Sequence, residues 1–227
     1  MVNFTYTYLL MGILLLVVWL ILFFWRKDLR KDMLSVSILF AIVGPLVSII
    51  YTIDWWSPLT ITGTAIGIED VLFGFVCGGV TATIYETVFR KKLSRKKKNH
   101  KKLNGMPTAI IVLTIFFGSF FILKINSFFS SIITLVAVTL LIWFKRRDLI
   151  KNSLFSGVLL VVVIGGIYSI LELITPGWIQ SFWHFKNVPE IIIFNIPIDD
   201  IVWYFLVGTA IGPLYEYWQN KRMVNKK

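Results

Sequence analysis

Seven long apolar stretches, separated by short polar segments, dominate the pattern of this chain. They are approximately Tyr8–Trp25, Met33–Tyr51, Ile66–Phe89, Met106–Leu123, Phe128–Phe144, Leu154–Leu173 and Ile196–Trp218. Each is about 17 to 24 residues long, the length that a helix needs to cross roughly 30 Å of hydrocarbon. Because lipid offers no hydrogen-bond partners to the backbone, each stretch is predicted to be a helix.

The composition agrees with this pattern. Apolar residues make up 57% of the chain and charged residues 15%, whereas a soluble domain has about 25% charged residues. Such a sequence has too few polar side chains to cover a surface that faces water. The predicted fold class is therefore all-α, a polytopic membrane protein with seven transmembrane helices.

The basic residues indicate the orientation of these helices. Of the 23 lysines and arginines, 21 lie in alternate loops or at the C-terminus, and the other loops contain only Lys124 and Lys186. The positive-inside rule places the basic loops in the cytoplasm, so we expect the N-terminus outside the cell membrane and the C-terminus in the cytoplasm. The densest run, Arg90–Lys102, contains no aromatic residue that might stack on a base. We therefore expect it to attract anionic lipid headgroups and not nucleic acid.

The two halves of the chain resemble each other. The segment Trp25–Leu34 is echoed by Lys145–Leu154, and Ile66–Glu86 is echoed by Ile196–Glu216. Two equally oriented groups of three helices need one further span between them, which the fourth stretch supplies. The predicted organisation is a first repeat at 1–90, a basic loop plus linker span at 91–124, and a second repeat at 125–227.

Small residues at four-residue spacing occur in the third and seventh stretches. They allow close contact between helices in lipid, and two interpretations are open. The two helices may pack against each other across the axis that relates the repeats, or each may pack within its own half. The residues are Gly74, Gly78 and Ala82 in one stretch and Gly208 and Gly212 in the other.

Two acidic doublets, Glu69–Asp70 and Asp199–Asp200, occupy matching positions where the third and seventh helices begin. A charged side chain at the centre of a bilayer costs about 2.5–3.5 kcal/mol, so acids inside a membrane indicate function. An alternative is that these acids only complement the helix dipole, which contributes about 0.3–1 kcal/mol. That explains one acid per helix better than two. The doublets are the main candidate site.

Aromatic residues accompany both doublets. Phe73, Trp203 and Tyr204 lie one turn inside the acids, and Trp56 precedes the third helix. An aromatic ring stabilises a cation by about 0.5–2 kcal/mol, although an interfacial belt also explains Trp55 and Trp56. Glu172, near the end of the sixth stretch, is a secondary candidate.

Around these doublets the sequence resembles the membrane-embedded lycopene cyclases. Their repeated signature is roughly Pro-apolar-Glu-Glu-apolar-apolar-Phe-Phe, once in each half. The second copy here runs from Pro197 to Tyr204 and the first from Gly67 to Gly74. The first proline is replaced by Gly67, three of the four acidic positions hold aspartate, and Gly74 replaces one aromatic residue.

The resemblance implies a divergent enzyme that closes the ends of a lycopene-type polyene into rings without net redox change. A proton adds to the terminal double bond, an internal alkene attacks the cation, and a proton then leaves. The implied catalytic residues are Glu69 and Asp199 with Asp70 and Asp200 as their partners, and Phe73, Trp203, Tyr204, Trp56 and Glu172 are the implied substrate-binding residues. The chemistry requires no cofactor or metal, and the substrate would enter from the bilayer.

Two other functions compete with a cyclase for this sequence. A retinal protein needs a lysine in its last span, and Ile196–Trp218 contains none. A non-catalytic membrane protein, or a transporter coupled to protons or cations, would use the same acids as a relay. That alternative stays open at the level of sequence.

Overall fold

The computed structural model describes residues 4–95 and 105–225. Helices make up most of these residues, which confirms the all-helical class. Their bounds are α1 Thr7–Trp25, α2 Arg30–Asp54, α3 Ile68–Thr81, α4 Ile84–Val88, α5 Gly105–Phe117, α6 Ser127–Lys145, α7 Ile150–Ile174, α8 Trp178–Phe182, α9 Ile198–Ile211 and α10 Leu214–Gln219. Helix α5 continues as a π turn over Gly118–Ile122, and a 3₁₀ turn over Arg147–Leu149 precedes α7.

Four of these helices are long and apolar enough to cross a membrane: α1, α2, α6, and α7 together with its preceding turn. They measure 19, 25, 19 and 28 residues, and about 20 residues span the hydrocarbon core. The chain is therefore a membrane protein. The other three predicted spans correspond to shorter helices, namely α3 with α4, α5 with its π turn, and α9 with α10. The count of seven spans stays a prediction.

The third and seventh apolar stretches are each interrupted near the same point. Helix α9 ends at Ile211, just before Pro213, because proline has no N–H to continue the helical hydrogen bonds. Helix α3 ends at Thr81 without a proline. There the Thr83 hydroxyl donates to the Gly79 carbonyl at 2.9 Å, a side-chain contact that competes with regular helix geometry.

The small residues pack each helix within its own half. A Cβ on Gly74 would lie 2.2 Å from the carbonyl oxygen of Phe40 in α2, and a Cβ on Gly208 would lie 2.4 Å from the Cα of Gly157 in α7. Backbones approach this closely only where side chains are absent. Of the two interpretations of the glycine pattern, packing inside each half is the one that the structure supports.

Basic loops meet at one end of the bundle, here called the basic end. Arg26 forms an ion pair with Asp28 at 2.9 Å and donates to the carbonyls of Glu86 and Lys91. At the corresponding positions, Arg146 forms an ion pair with Asp148 at 2.8 Å and donates to the carbonyls of Glu216 and Lys221. Both arginines are buried, so each ties a helix end to the segment that follows α4 or α10.

Four short strands lie at the two ends of the bundle, a feature that the all-α prediction did not include. Strand β1 (Lys91–Arg95) pairs antiparallel with β4 (Lys221–Asn225) and joins the halves at the basic end. Strands β2 (Ile192–Ile193) and β3 (Ile196–Pro197) form a small hairpin that leads into α9. The rest of the basic run, 96–104, lies outside the described residues.

Candidate active site

The first doublet occupies the first turn of α3, and both of its side chains are buried. Both carboxyl oxygens of Asp70 accept hydrogen bonds. Its Oδ1 accepts hydrogen bonds from the Tyr8 hydroxyl at 3.0 Å and from the Ser48 hydroxyl at 2.5 Å, and its Oδ2 accepts the Gly67 N–H at 2.8 Å. The last contact closes the N-terminus of α3, so the capping interpretation holds for this acid.

Only one of the two carboxyl oxygens of Glu69 accepts a close hydrogen bond. Its Oε1 accepts the backbone N–H of Ile61 at 2.7 Å, from the loop between α2 and α3, whereas its Oε2 is buried without a partner. The carboxyl folds back over Gly67, where an added Cβ would lie 2.0 Å from Oε2. The backbone at Gly67 is extended and any residue can adopt it, so glycine here leaves room for the Glu69 carboxyl in this position.

The second doublet opens α9 and is also buried. Asp199 Oδ2 accepts the indole N–H of Trp55 at 2.6 Å, and Asp199 Oδ1 is buried without a partner. Asp200 Oδ2 accepts the hydroxyl of Tyr168, whose oxygen lies 3.3 Å from that of Tyr204. The N-cap of α9 is Pro197, which has no N–H, so the capping contact that Asp70 makes with Gly67 is absent from this pair.

The two doublets share an arrangement. In each, the second acid accepts from a hydroxyl on the preceding long helix, Ser48 in α2 or Tyr168 in α7. In each, one oxygen of the first acid accepts a donor-only N–H at 2.6 Å or 2.7 Å, and the other oxygen is buried without a close partner. A buried polar atom without a partner costs about 1–3 kcal/mol, so each of these two atoms needs a physical explanation.

Aromatic rings surround both doublets. Tyr8, which binds Asp70, packs against Trp56 with ring centroids 4.9 Å apart and against Phe73 at 6.0 Å. Trp55, which binds Asp199, lies 5.9 Å from Trp203. The structure therefore brings Trp56, Phe73 and Trp203, all predicted from sequence, close to the acids.

The remaining two candidates have different surroundings. Tyr204 is buried, with its hydroxyl oxygen near that of Tyr168. Glu172 Oε1 accepts the Gly177 N–H at 3.0 Å and so closes the turn between α7 and α8. That contact gives Glu172 a structural role, and it stays a prediction as a substrate-binding residue.

Several contributors to this site were missed by sequence reasoning. Tyr8, Ser48 and Tyr168 are hydrogen-bond donors to the acids, and Trp55 was assigned to an interfacial belt. The sequence does show these hydroxyl-bearing residues within apolar stretches, which indicates that each one needs a hydrogen-bond partner. It identifies no partner, because Tyr8 and Asp70 lie 62 residues apart in the chain.

A further acidic pair was also missed. Glu86 and Glu216, at the ends of the duplicated segments, are both 1% exposed and close enough to interact with each other. Asn152 donates to Glu86 Oε1 at 3.1 Å. Sequence analysis gave these residues no role, because they lie beside basic residues at the inner ends of the third and seventh stretches.

Together, the apolar helices and the buried acidic doublets define an α-helical membrane protein with two acidic clusters in its interior. A family model described as lycopene cyclase matches residues 3–88 and 126–218. The chain belongs to the lycopene cyclase family, and this membership supports a carotenoid cyclase activity. Neither the search of curated proteins nor that of solved structures found a match.

Proposed function

We propose that the protein is a carotenoid end-group cyclase that acts on a lycopene-type polyene without net redox change. The observation that carries this proposal is the pair of buried doublets, each with one carboxyl oxygen left unpaired among aromatic side chains. Proton donation needs a protonated carboxyl, and each unpaired oxygen is a place where that proton displaces no existing hydrogen bond.

Glu69 and Asp199 are the proposed proton donors. Each has a buried oxygen without a partner, Oε2 of Glu69 and Oδ1 of Asp199. Asp70 accepts three hydrogen bonds and therefore has little capacity left for a substrate. We assign Asp70 and Asp200 to holding the local structure and tuning the adjacent acid.

The proposed reaction is an isomerisation. A carboxyl proton adds to the terminal double bond of the polyene, and the neighbouring alkene attacks the resulting cation to form a carbon–carbon bond and close the ring. A proton then leaves an adjacent carbon to a carboxylate, so hydrogens and electrons balance. Trp203, Phe73 and Trp56 supply aromatic faces near the developing cation, and no redox cofactor takes part.

The same proposal includes a tandem parallel repeat of three helices in each half, with seven spans in total. The matching contacts of Arg26 and Arg146 support it, as do the two matched family segments, which leave out the region of the proposed linker span. We further propose the N-terminus outside, the C-terminus in the cytoplasm, and a substrate that enters from the bilayer.

Expression in a lycopene-accumulating bacterium, followed by chromatography of the pigments, tests this function. We expect cyclic products from the wild type and loss of most product from Glu69→Gln and from Asp199→Asn. Glu190→Gln is the matched control, because it removes an exposed carboxyl from the loop that precedes α9. Unchanged lycopene with a well-inserted wild-type protein would contradict the proposal and favour a non-catalytic or transport role.

A further inference from the structure

Trp55 connects the two halves of the chain at the acidic site. It follows the last residue of α2, is 3% exposed, and donates its indole N–H to Asp199, which lies 144 residues further along. Its backbone carbonyl accepts the N–H of His184 at 2.8 Å. Three aromatic rings hold the indole: Tyr51 at 4.8 Å, Phe128 at 5.2 Å and Trp203 at 5.9 Å. The direction of the N–H is therefore set by packing on both sides of the ring.

The chemistry of this donor restricts the proton of Asp199. An indole N–H donates and never accepts, so the Asp199 oxygen that faces Trp55 must act as an acceptor. When Asp199 is neutral, its proton is then directed to Oδ1, the buried oxygen without a partner. A hydroxyl in place of the indole would allow either oxygen to carry the proton, because a hydroxyl both donates and accepts.

Glu69 has the same arrangement with an unrelated donor. The backbone N–H of Ile61, which also cannot accept, occupies Oε1 and directs a proton to Oε2. By contrast, Asp70 and Asp200 accept from the hydroxyls of Tyr8, Ser48 and Tyr168. Among the four acids of the doublets, the two whose close donors are only N–H groups are the two with a buried oxygen that lacks a close partner.

We propose that Trp55 is a positioning residue that directs the reactive proton of Asp199 to Oδ1, so that the first half of the chain completes the acid of the second half. This inference rests on the proposed cyclase function. The indole of Trp183 also lies near Asp199 and Asp200 and acts on both carboxyls, although its Nε1 makes no close hydrogen bond. Trp55 makes the short contact with Asp199, at 2.6 Å.

Trp55→Phe keeps an aromatic ring and removes the N–H. Because Oδ2 of Asp199 then loses its donor and the proton is no longer confined to Oδ1, we expect kcat for ring formation to fall about ten- to hundredfold. KM should change little, since the apolar surface remains. A site-specific replacement of Trp55 by its benzothiophene analogue, which has the same shape without the N–H, should reproduce the effect and so exclude a packing defect.

Trp19→Phe is the matched control. Trp19 is also buried and donates its indole N–H to the Ser37 hydroxyl at 3.0 Å, with no acid involved. The Trp19→Phe variant loses a comparable indole hydrogen bond elsewhere in the first half. We therefore expect a lower Tm but a kcat close to that of the wild type. A similar kcat loss in both variants would overturn the inference.

Infrared spectroscopy of the purified protein detects the hydrogen bond between Trp55 and Asp199 without any need for turnover. A protonated carboxyl has a carbonyl band, and the Asp199 band is the one that Asp199→Asn abolishes. Trp55→Phe should shift this band to higher frequency, because the carbonyl oxygen loses its N–H donor. Absence of such a band, or a band that Trp55→Phe leaves in place, would overturn the inference. If the wild type forms rings and Trp55→Phe forms them equally fast, the role of Trp55 is overturned and the cyclase proposal stands. If the wild type forms no rings, the cyclase proposal is contradicted, and the infrared band still tests the hydrogen bond.

Discussion

Gly67 departs from the family signature, whereas Glu69 keeps its glutamate, and the two residues are in close contact. The carboxyl oxygen Oε2 of Glu69 lies 2.0 Å from the position that a Cβ on Gly67 would take. In the second half, Pro197 carries a Cβ and the corresponding acid is Asp199, which is shorter by one methylene. This chain therefore combines the longer acid with glycine in one half and the shorter acid with proline in the other.

Gly67→Ala should displace the Glu69 carboxyl. A misplacement of about 1 Å at a reacting group costs about a hundredfold in rate, so we expect a large loss of cyclic product. The loss should be much smaller in a Glu69→Asp background, where the shorter side chain does not reach the new Cβ. Product yields from the two single variants and the double variant measure this coupling.

Gly166→Ala is the control for this cycle, because a Cβ there meets no atom within 4 Å. It should retain wild-type activity. Additive losses for Gly67→Ala and Glu69→Asp would contradict the steric coupling between the two positions.

At the scale of helices, close packing of α2 on α3 and of α7 on α9 holds each doublet beside its donors. Ser48 and Tyr168 reach the acids because glycines let the backbones approach. This explains the substitution of Gly74 for an aromatic residue in the signature. A side chain there would collide with the Phe40 carbonyl.

Gly208→Ala should destabilise the contact between α7 and α9. Its Cβ would lie 2.4 Å from the Gly157 Cα, and overpacking of this kind costs about 1–3 kcal/mol. We expect a lower Tm in detergent and a parallel loss of activity as Tyr168 moves away from Asp200. The same change at Gly166 provides the comparison, and an equal Tm for the two variants would refute tight packing at Gly208.

The local sequence pattern predicted where the helices lie and that an acidic doublet begins the third and seventh of the predicted helices. Both features are set by residues that are close together in the chain. Their partners depend on contacts between helices, which hydrophobic periodicity does not encode. The meeting of Glu86 with Glu216 and the pairing of β1 with β4 belong to this second group. Neither of these strands has the alternating apolar and polar pattern that predicts a strand.

For the whole molecule, the two halves are connected at both ends of the bundle. Trp55 reaches Asp199 at one end. At the basic end, Asn152 of α7 donates to Glu86, and Lys221 forms an ion pair with Asp32 of α2 at 3.5 Å. All of the basic loops that the structure describes contact one another at that end, which is the distribution expected if it faces the cytoplasm.

Cysteine labelling tests this orientation, and the chain suits it because Cys77 is its one cysteine. In a Cys77→Ala background, Lys186→Cys should react with an impermeant maleimide on intact cells. Lys151→Cys should react only after the membrane is permeabilised. Both positions are exposed, so access is set by the side of the membrane, and the reverse labelling pattern would contradict the proposed orientation.

The most direct test of the central claim is a deuterium count by mass spectrometry. The claim is that a protein carboxyl donates the proton that starts ring closure, without net redox change. Protein exchanged fully into D₂O and used in excess over lycopene should yield a product with one deuterium per ring, and in H₂O the product should have the mass of the substrate. A ring formed without deuterium, or a product that differs from lycopene by two hydrogens, would contradict the account.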